Sequence, residues 1–146
     1  MSTEHNKAMT QVVWNDVFNE GKVEKIGELF ASDYVYHGPG GYEMKGTEQL
    51  KQFVIWLRTS LNNVHFDVED LIAEGDKVVS VWAMKATKDN KPITLKGVVV
   101  SRIAEDKCVE DFEIFDRLAM AEQGAPNWFA KRMVNSIAKQ LAKGKP

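Results

Sequence analysis

Residues 77–116 decide the fold and read KVVSVWAMKATKDNKPITLKGVVVSRIAEDKCVEDFEIFD. The stretch holds three strand-like segments, Lys77–Thr87, Ile93–Ile103 and Cys108–Asp116. Two short turns, Lys88–Lys91 and Ala104–Lys107, separate them. Because turns this short join neighbouring antiparallel strands, the stretch predicts an antiparallel meander.

The residues before the meander have mostly helical spacing. Apolar side chains recur every three or four positions from Met9 to Phe18, and Gly21 ends this helix as a C-cap glycine would. A second short helix is predicted from Val23 to Phe30. A third carries an apolar stripe from Leu50 to Leu61, with Thr47 as its N-cap.

Two further strands and one more helix complete the prediction. A short aromatic strand, Asp33–His37, ends at Gly38-Pro39-Gly40-Gly41, and an alternating strand over Val64–Asp70 leads to the hairpin signal Glu74-Gly75-Asp76. A last helix is predicted at about 127–143. Helices kept apart from an antiparallel sheet predict an α+β fold, with three N-terminal helices on a strongly curved sheet and an extra C-terminal helix.

Length and charge limit the classes of function. The 146 residues, 44% apolar and 27% charged, predict one domain over 1–146, and the formal charge of −2 attracts neither nucleic acid nor a membrane surface. One cysteine, Cys108, cannot form an internal disulfide. The polar N-terminal segment and the lack of an 18-residue apolar run lead us to expect a cytoplasmic protein without a signal peptide or membrane span.

The C-terminal segment is basic and amphipathic. It has five basic and no acidic residues over 127–146 and an apolar ridge of Phe129, Met133, Ile137 and Leu141. Four interpretations remain open: a solvated helix face, packing across a cavity mouth, a bridge between two copies, and contact with an anionic surface.

Motifs for metals, nucleotides and nucleophilic catalysis are absent from the sequence. Three isolated histidines and one cysteine show no HxH, HxxxH or CxxC spacing, so we expect no metal. There is no P-loop, GxGxxG or GxSxG motif. The sequence therefore predicts a protein without a cofactor.

A curled sheet covered by helices leaves a cavity between the layers. The last predicted strand does not show which of its faces is inside, since both faces mix acids with apolar residues. One face carries Glu110, Phe112, Ile114 and Asp116, and the other carries Asp111, Glu113 and Phe115.

Several stretches carry a resemblance to a known family: Leu29–Pro39, Val68–Val79 followed by Trp82, and Arg102–Lys107 followed by Glu110 and Asp116. Over about residues 8–124 the chain resembles the nuclear transport factor 2-like α+β cone superfamily and, within it, the SnoaL-like polyketide cyclases. The resemblance implies the cone fold for one domain, and this fold hosts many unrelated functions.

The resemblance also implies a catalytic residue. In the cyclases, an aspartate near the end of the late strand is the acid/base of an aldol ring closure, and Asp116 matches it. A polar pocket residue fourteen positions earlier, often histidine, is Arg102 here.

Two related enzyme groups match less well. The steroid isomerase positions fall on Trp14, Gly38 and Val99, and all three residues differ from those of the isomerases. The epoxide hydrolases need an aspartate two residues after an arginine, where this chain has Ala104.

Asp116 is the leading catalytic candidate from the residues as well. In an apolar pocket its pKa would rise, which suits removal of a proton from a carbon next to a carbonyl. The neighbours expected in that pocket are Trp82, Met84, Phe112 and Ile114. The alternative is a strand-end aspartate that caps the next turn or pairs with Arg102 or Arg117.

His37 is the second catalytic candidate, since it ends an aromatic strand and precedes a glycine-rich loop. It could donate to an enolate oxygen or act as a partner base, or it could be a histidine satisfied by backbone. The remaining candidate ligand-binding residues are Trp14, Tyr34, Tyr36, Trp56 and Arg102, and most aromatic residues could equally be core.

The sequence thus predicts a cofactor-independent cyclase or isomerase that acts on a small apolar carbonyl compound. A ligand-binding module without catalysis and a homodimeric interaction domain are the alternatives. A homodimer is expected from the fold class.

Overall fold

The computed structural model describes residues 2–123. The helices are α1 (Thr3–Val12), α2 (Ile26–Leu29), α3 (Gly46–Ser60) and α4 (Arg117–Glu122). The strands are β1 (Phe30–His37), β2 (Glu43–Lys45), β3 (Asn62–Glu74), β4 (Lys77–Lys88), β5 (Lys91–Ala104) and β6 (Lys107–Phe115). A π-helical segment, Val13–Asn19, continues α1, and 3₁₀ turns occupy Val23–Lys25 and Pro39–Gly41.

The six strands form one sheet in the order β2-β1-β6-β5-β4-β3. All neighbours are antiparallel except β1 and β6, which run parallel. The predicted meander is therefore β3 to β6, and the parallel contact returns its last strand to the first strand of the chain.

One face of the sheet packs under the helices and forms the core. Helix α3 buries Leu50, Val54 and Leu57 at helical spacing, as its apolar stripe predicts. Strand β4 buries every second residue on this inner face, including Val78, Trp82 and Met84. The α+β prediction is confirmed.

Gly21 ends the first helical segment as predicted. Its φ is +72°, and its N–H donates to the Val17 carbonyl. The helix before it is less regular than expected, because its last turns are π-helical.

Two local predictions were wrong, and two short elements were not predicted. Phe30 begins β1 instead of ending a helix. Helix α3 begins at Gly46, so Thr47 lies inside its first turn and is not the N-cap. The N-cap position is Lys45, whose N–H donates to the Gln49 side chain over 2.9 Å. Strand β2 and helix α4 were not predicted.

The predicted helix at 127–143 lies outside the described residues. Among residues 2–123, no helix is long and apolar enough to cross a bilayer.

Candidate active site

A cavity lies between the inner face of the sheet and the helices. The cavity has a volume of about 100 Å³, which is room for several waters or a small ring system. Its wall is mostly apolar and aromatic, and it comes from α1 and its π-helical continuation, from α3 and from all six strands. It includes Trp14, Phe18, Phe53, Phe66, Met84, Leu95 and Phe115.

Glu113 and Tyr36 form one polar pair in this wall. The Tyr36 hydroxyl donates to Glu113 Oε1 over 2.5 Å. Burial raises the pKa of Glu113, the hydrogen bond from Tyr36 lowers it and the nearby Asp111 raises it, and together these effects give a pKa of about 7. At neutral pH this carboxyl is therefore present in both protonation states, as a general acid/base requires.

Asp111 and Tyr34 form a second pair, two residues earlier on each strand. The Tyr34 hydroxyl donates to Asp111 Oδ2 over 2.5 Å, and the Cys108 thiol donates to Oδ1 over 3.4 Å. Ser101, the cross-strand partner of Asp111, lies close to the same carboxyl. Burial raises the pKa of Asp111, although Ser101, Tyr34 and Cys108 act in the opposite direction.

The pairing of β1 with β6 explains why the two pairs face the cavity together. Tyr36 lies opposite Asp111 in the parallel register. Because side chains alternate along a strand, residues two apart on each strand share the inner face.

The part of the cavity wall formed by residues 2–123 carries no positive charge. None of its lining residues within the described part of the chain is lysine, arginine or histidine. Nor do residues 2–123 bring together three His, Cys, Asp or Glu side chains able to hold a metal ion. The wall therefore favours neutral or cationic ligands over anionic ones.

Five of the predicted ligand-binding residues line this cavity: Trp14, Tyr34, Tyr36, Trp82 and Met84. Their contact with a ligand remains a prediction. Trp56 instead packs, partly buried, against the core beside Phe53.

The structure does not place Asp116 in the cavity wall. Asp116 is exposed just after β6, and its Oδ1 accepts the Ala119 N–H over 3.0 Å, so it caps α4. Phe112 and Ile114, its expected pocket neighbours, lie on the outer face with 52% and 75% of their surface exposed. The expected pocket around Asp116 is thus corrected: the opposite face of β6 is inside.

His37 and Arg102 also lie on the outer face rather than in the pocket. His37 contacts Glu110 through Nε2 at 2.8 Å and Glu43 through Nδ1 at 3.0 Å, and its ring stacks on Phe112. Arg102 approaches Glu110 at 3.5 Å. These contacts account for both residues as surface partners, and they correct the expectation that either lines the pocket.

Sequence reasoning did not single out Glu113 or Asp111. One signal could have found them: Tyr34 and Tyr36 are two hydroxyls on one face of a strand, and buried hydroxyls need acceptors. Acids two residues apart on another strand supply such acceptors.

The site can now be compared with known proteins. The profile of the SnoaL-like polyketide cyclases matches residues 8–124. This chain belongs to the SnoaL-like polyketide cyclase family. No curated protein matches it significantly in sequence.

Solved structures of SnoaL-like and related proteins share the fold. A putative polyketide cyclase from Acidithiobacillus ferrooxidans is 27% identical, with a TM-score of 0.71 over 84% of this chain and 96% of its own. A putative polyketide cyclase from Bacillus cereus is 26% identical, with a TM-score of 0.74 over 84% of each chain. An epoxide hydrolase of Mycobacterium tuberculosis, 11% identical, has a TM-score of 0.72 over 93% and 96%, which is a likeness of fold alone.

Proposed function

We propose that the protein is a cofactor-independent acid/base catalyst of the cyclase/isomerase kind, and that Glu113 rather than Asp116 exchanges the proton. Membership of the SnoaL-like family supports the general kind of reaction. The observation that carries the proposal is the position of Glu113 in the cavity wall, hydrogen-bonded to Tyr36.

The reaction begins with ionised Glu113 and a neutral carbonyl compound in the cavity. Glu113 accepts a proton from the carbon next to the carbonyl, so the C–H bond breaks and its electron pair forms an enolate. Once protonated, Glu113 holds the Tyr36 hydroxyl less tightly. Tyr36 can then donate to the enolate oxygen, in a site where a hydrogen bond to charge is strong.

Two outcomes are possible from this enolate. If its carbon attacks a second carbonyl of the same molecule, the new C–C bond closes a ring. The alkoxide formed in this step then takes the proton from Glu113. If the proton returns to a different carbon, the product is an isomer. Both outcomes regenerate ionised Glu113 and need no cofactor.

The test follows the first step alone. 2-Tetralone, a neutral bicyclic ketone, is incubated with the protein in D₂O, and loss of its α-protons is followed by NMR. We expect Glu113→Gln to slow protein-dependent exchange at least about a hundredfold. The matched control is Glu110→Gln, an acid of the same strand that faces outward, and it should stay within about twofold.

Equal rates for the two variants, or exchange no faster than in buffer, would contradict the proposal. A protein that is thermally stabilised by 2-tetralone without catalysing exchange would instead be a ligand-binding module, the alternative that uses the same cavity.

The outer sheet face favours a second proposal, which concerns assembly. Its neighbouring strands present an outer patch of seven apolar residues: Ile72, Val79, Val81, Val98, Val100, Phe112 and Ile114. Four of them are exposed, Ile114 by 75%, and contiguous apolar surface of this kind marks interaction sites.

We propose that a second copy of this chain covers the outer patch. Two charged pairs beside the patch are matched within one chain, Arg102 with Glu110 and Lys96 with Glu69, which reduces the repulsion between like charges when two copies meet. Light scattering should give the mass of a dimer for the wild type and of a monomer for Ile114→Glu, which buries a charge in a symmetric contact. A wild type that stays monomeric at 100 µM would rule this assembly out.

A further inference from the structure

Trp82 differs from Trp14, a second tryptophan of the cavity wall, in the hydrogen bonding of its indole nitrogen. Its indole Nε1–H is buried and makes no hydrogen bond of full geometry within the described residues. Trp14, in contact with it at 6.2 Å between ring centroids, donates its own Nε1–H to Ser80 over 3.1 Å. A buried N–H without a full hydrogen bond is costly, so its retention calls for a physical reason.

Gly97 explains where the Trp82 ring lies. The two residues are cross-strand partners, and Gly97 is in turn paired with Phe115 of β6. A Cβ at position 97 would lie 2.4 Å from Cζ2 and 2.7 Å from Cε2 of Trp82, far inside contact distance. The missing side chain of Gly97 therefore lets the indole lie over β5, toward β6.

This placement turns the N–H edge of the ring toward β6. There Glu113 lies two residues from Phe115, the cross-strand partner of Gly97, and lines the same cavity as Trp82. Cε2, one of the two atoms over Gly97, is bonded to Nε1. The nearby indole N–H also lowers the pKa of Glu113, opposing the effect of burial. Tyr36 supplies the other donor, so two donors from different strands approach one carboxyl group.

We propose that Trp82 is a positioning residue: its indole N–H, held over Gly97, completes its hydrogen bond when Glu113 is ionised and orients the carboxylate oxygen that takes the substrate proton. This inference rests on the proposed role of Glu113.

The experiment measures the two partners directly and needs no substrate. The protein is labelled with ¹⁵N in its indoles and ¹³C in its glutamate carboxyls, and both signals are followed by NMR from pH 5 to pH 9. Trp82→Phe and Glu113→Gln assign the signals. In the wild type, the Trp82 indole signal should move downfield as Glu113 ionises, with the same midpoint, and this movement should vanish in Glu113→Gln.

The variants test the direction of the effect. A donor to the ionised form lowers the acid's pKa, so Trp82→Phe should raise the midpoint of Glu113 by about one pH unit, a tenfold fall in its acid dissociation constant. Trp14→Phe is the matched control, because that indole donates to Ser80, and the Glu113 midpoint should stay in place. Gly97→Ala, which pushes the ring away but keeps the N–H, should raise the midpoint as Trp82→Phe does.

An indole signal that ignores the ionisation of Glu113 would overturn the inference, even if Trp82→Phe fails to fold. An unchanged or lower midpoint in Trp82→Phe would overturn it too. The proposed function can fail while this inference stands. If the Trp82 signal follows the ionisation of Glu113 but the protein does not exchange the α-protons of 2-tetralone, the role of Trp82 is supported and the catalytic role of Glu113 is contradicted.

Discussion

The two tyrosine–carboxylate pairs of the cavity have the same chemistry and different surroundings. Asp111 accepts hydrogen bonds from Tyr34 and Cys108 and has the Ser101 hydroxyl close by, whereas Glu113 has Tyr36 and an indole N–H that is not fully engaged. A carboxyl surrounded by three such groups has little capacity left for a substrate. The less satisfied of the two is the better acid/base, so the hydrogen-bond count separates a structural acid from a reactive one.

The largest expected effect is on stability, when each of the two acids is replaced in turn. Asp111→Ala leaves the buried donors of Tyr34 and Cys108 without their acceptor, and we expect a loss of about 3 kcal/mol or more in the free energy of unfolding at pH 8. At pH 8 Glu113 is ionised although burial of its charge is unfavourable. Glu113→Ala removes this unfavourable charge together with the carboxyl, so we expect the free energy of unfolding to fall by at most about 1 kcal/mol. Urea unfolding measures both, and similar losses would end the distinction between the pairs.

The pH dependence of stability sharpens the comparison. The pKa of Glu113 is about 7 when folded and near the ordinary value of 4.5 when unfolded, so between these values the folded state holds more protons. Stability from this group is therefore complete below about pH 4.5 and is lost as pH rises through 7, by up to about 3 kcal/mol.

Urea unfolding at pH 5 and pH 8 should show this loss in the wild type, and Glu113→Gln should remove most of it. If the glutamine variant keeps the full pH dependence, another group carries it, and Glu113 is not the acid with the raised pKa.

The smallest effect concerns the third carboxylate, Asp116. Asparagine caps a helix about as well as aspartate, so Asp116→Asn should change the stability by less than about 0.5 kcal/mol. Because the side chain is exposed beside α4, 2-tetralone exchange should stay within about twofold of the wild type. A hundredfold slower exchange would restore Asp116 as the catalytic residue.

The sequence predicted the architecture well because the meander depends on local signals. Turns such as Asp89-Asn90 and Glu105-Asp106 have positive φ at both residues, a conformation that asparagine and aspartate tolerate better than most. The apolar stripe of α3 predicted its buried face. The chain itself therefore carried enough information to identify the layers.

The site was harder to predict because it depends on contacts far apart in the chain. Both faces of β6 carry acids and aromatic residues, so alternation alone could not choose between Glu113 and Asp116. The choice follows from β1, which pairs with β6 from 77 residues away and supplies Tyr36 to Glu113. No turn motif or residue spacing in the sequence indicates that β1 and β6 pair in parallel.

The place of β6 between β1 and β5 also has a consequence for the order of assembly. During synthesis β1 emerges early, but its sheet neighbour β6 is made only after β3, β4 and β5. Until then Tyr34 and Tyr36 have no carboxylates opposite them. Strand β6 therefore joins β1 and β2 to β5, β4 and β3, and it brings both acids to their tyrosines. A nascent chain that stops before β6 contains neither tyrosine–carboxylate pair.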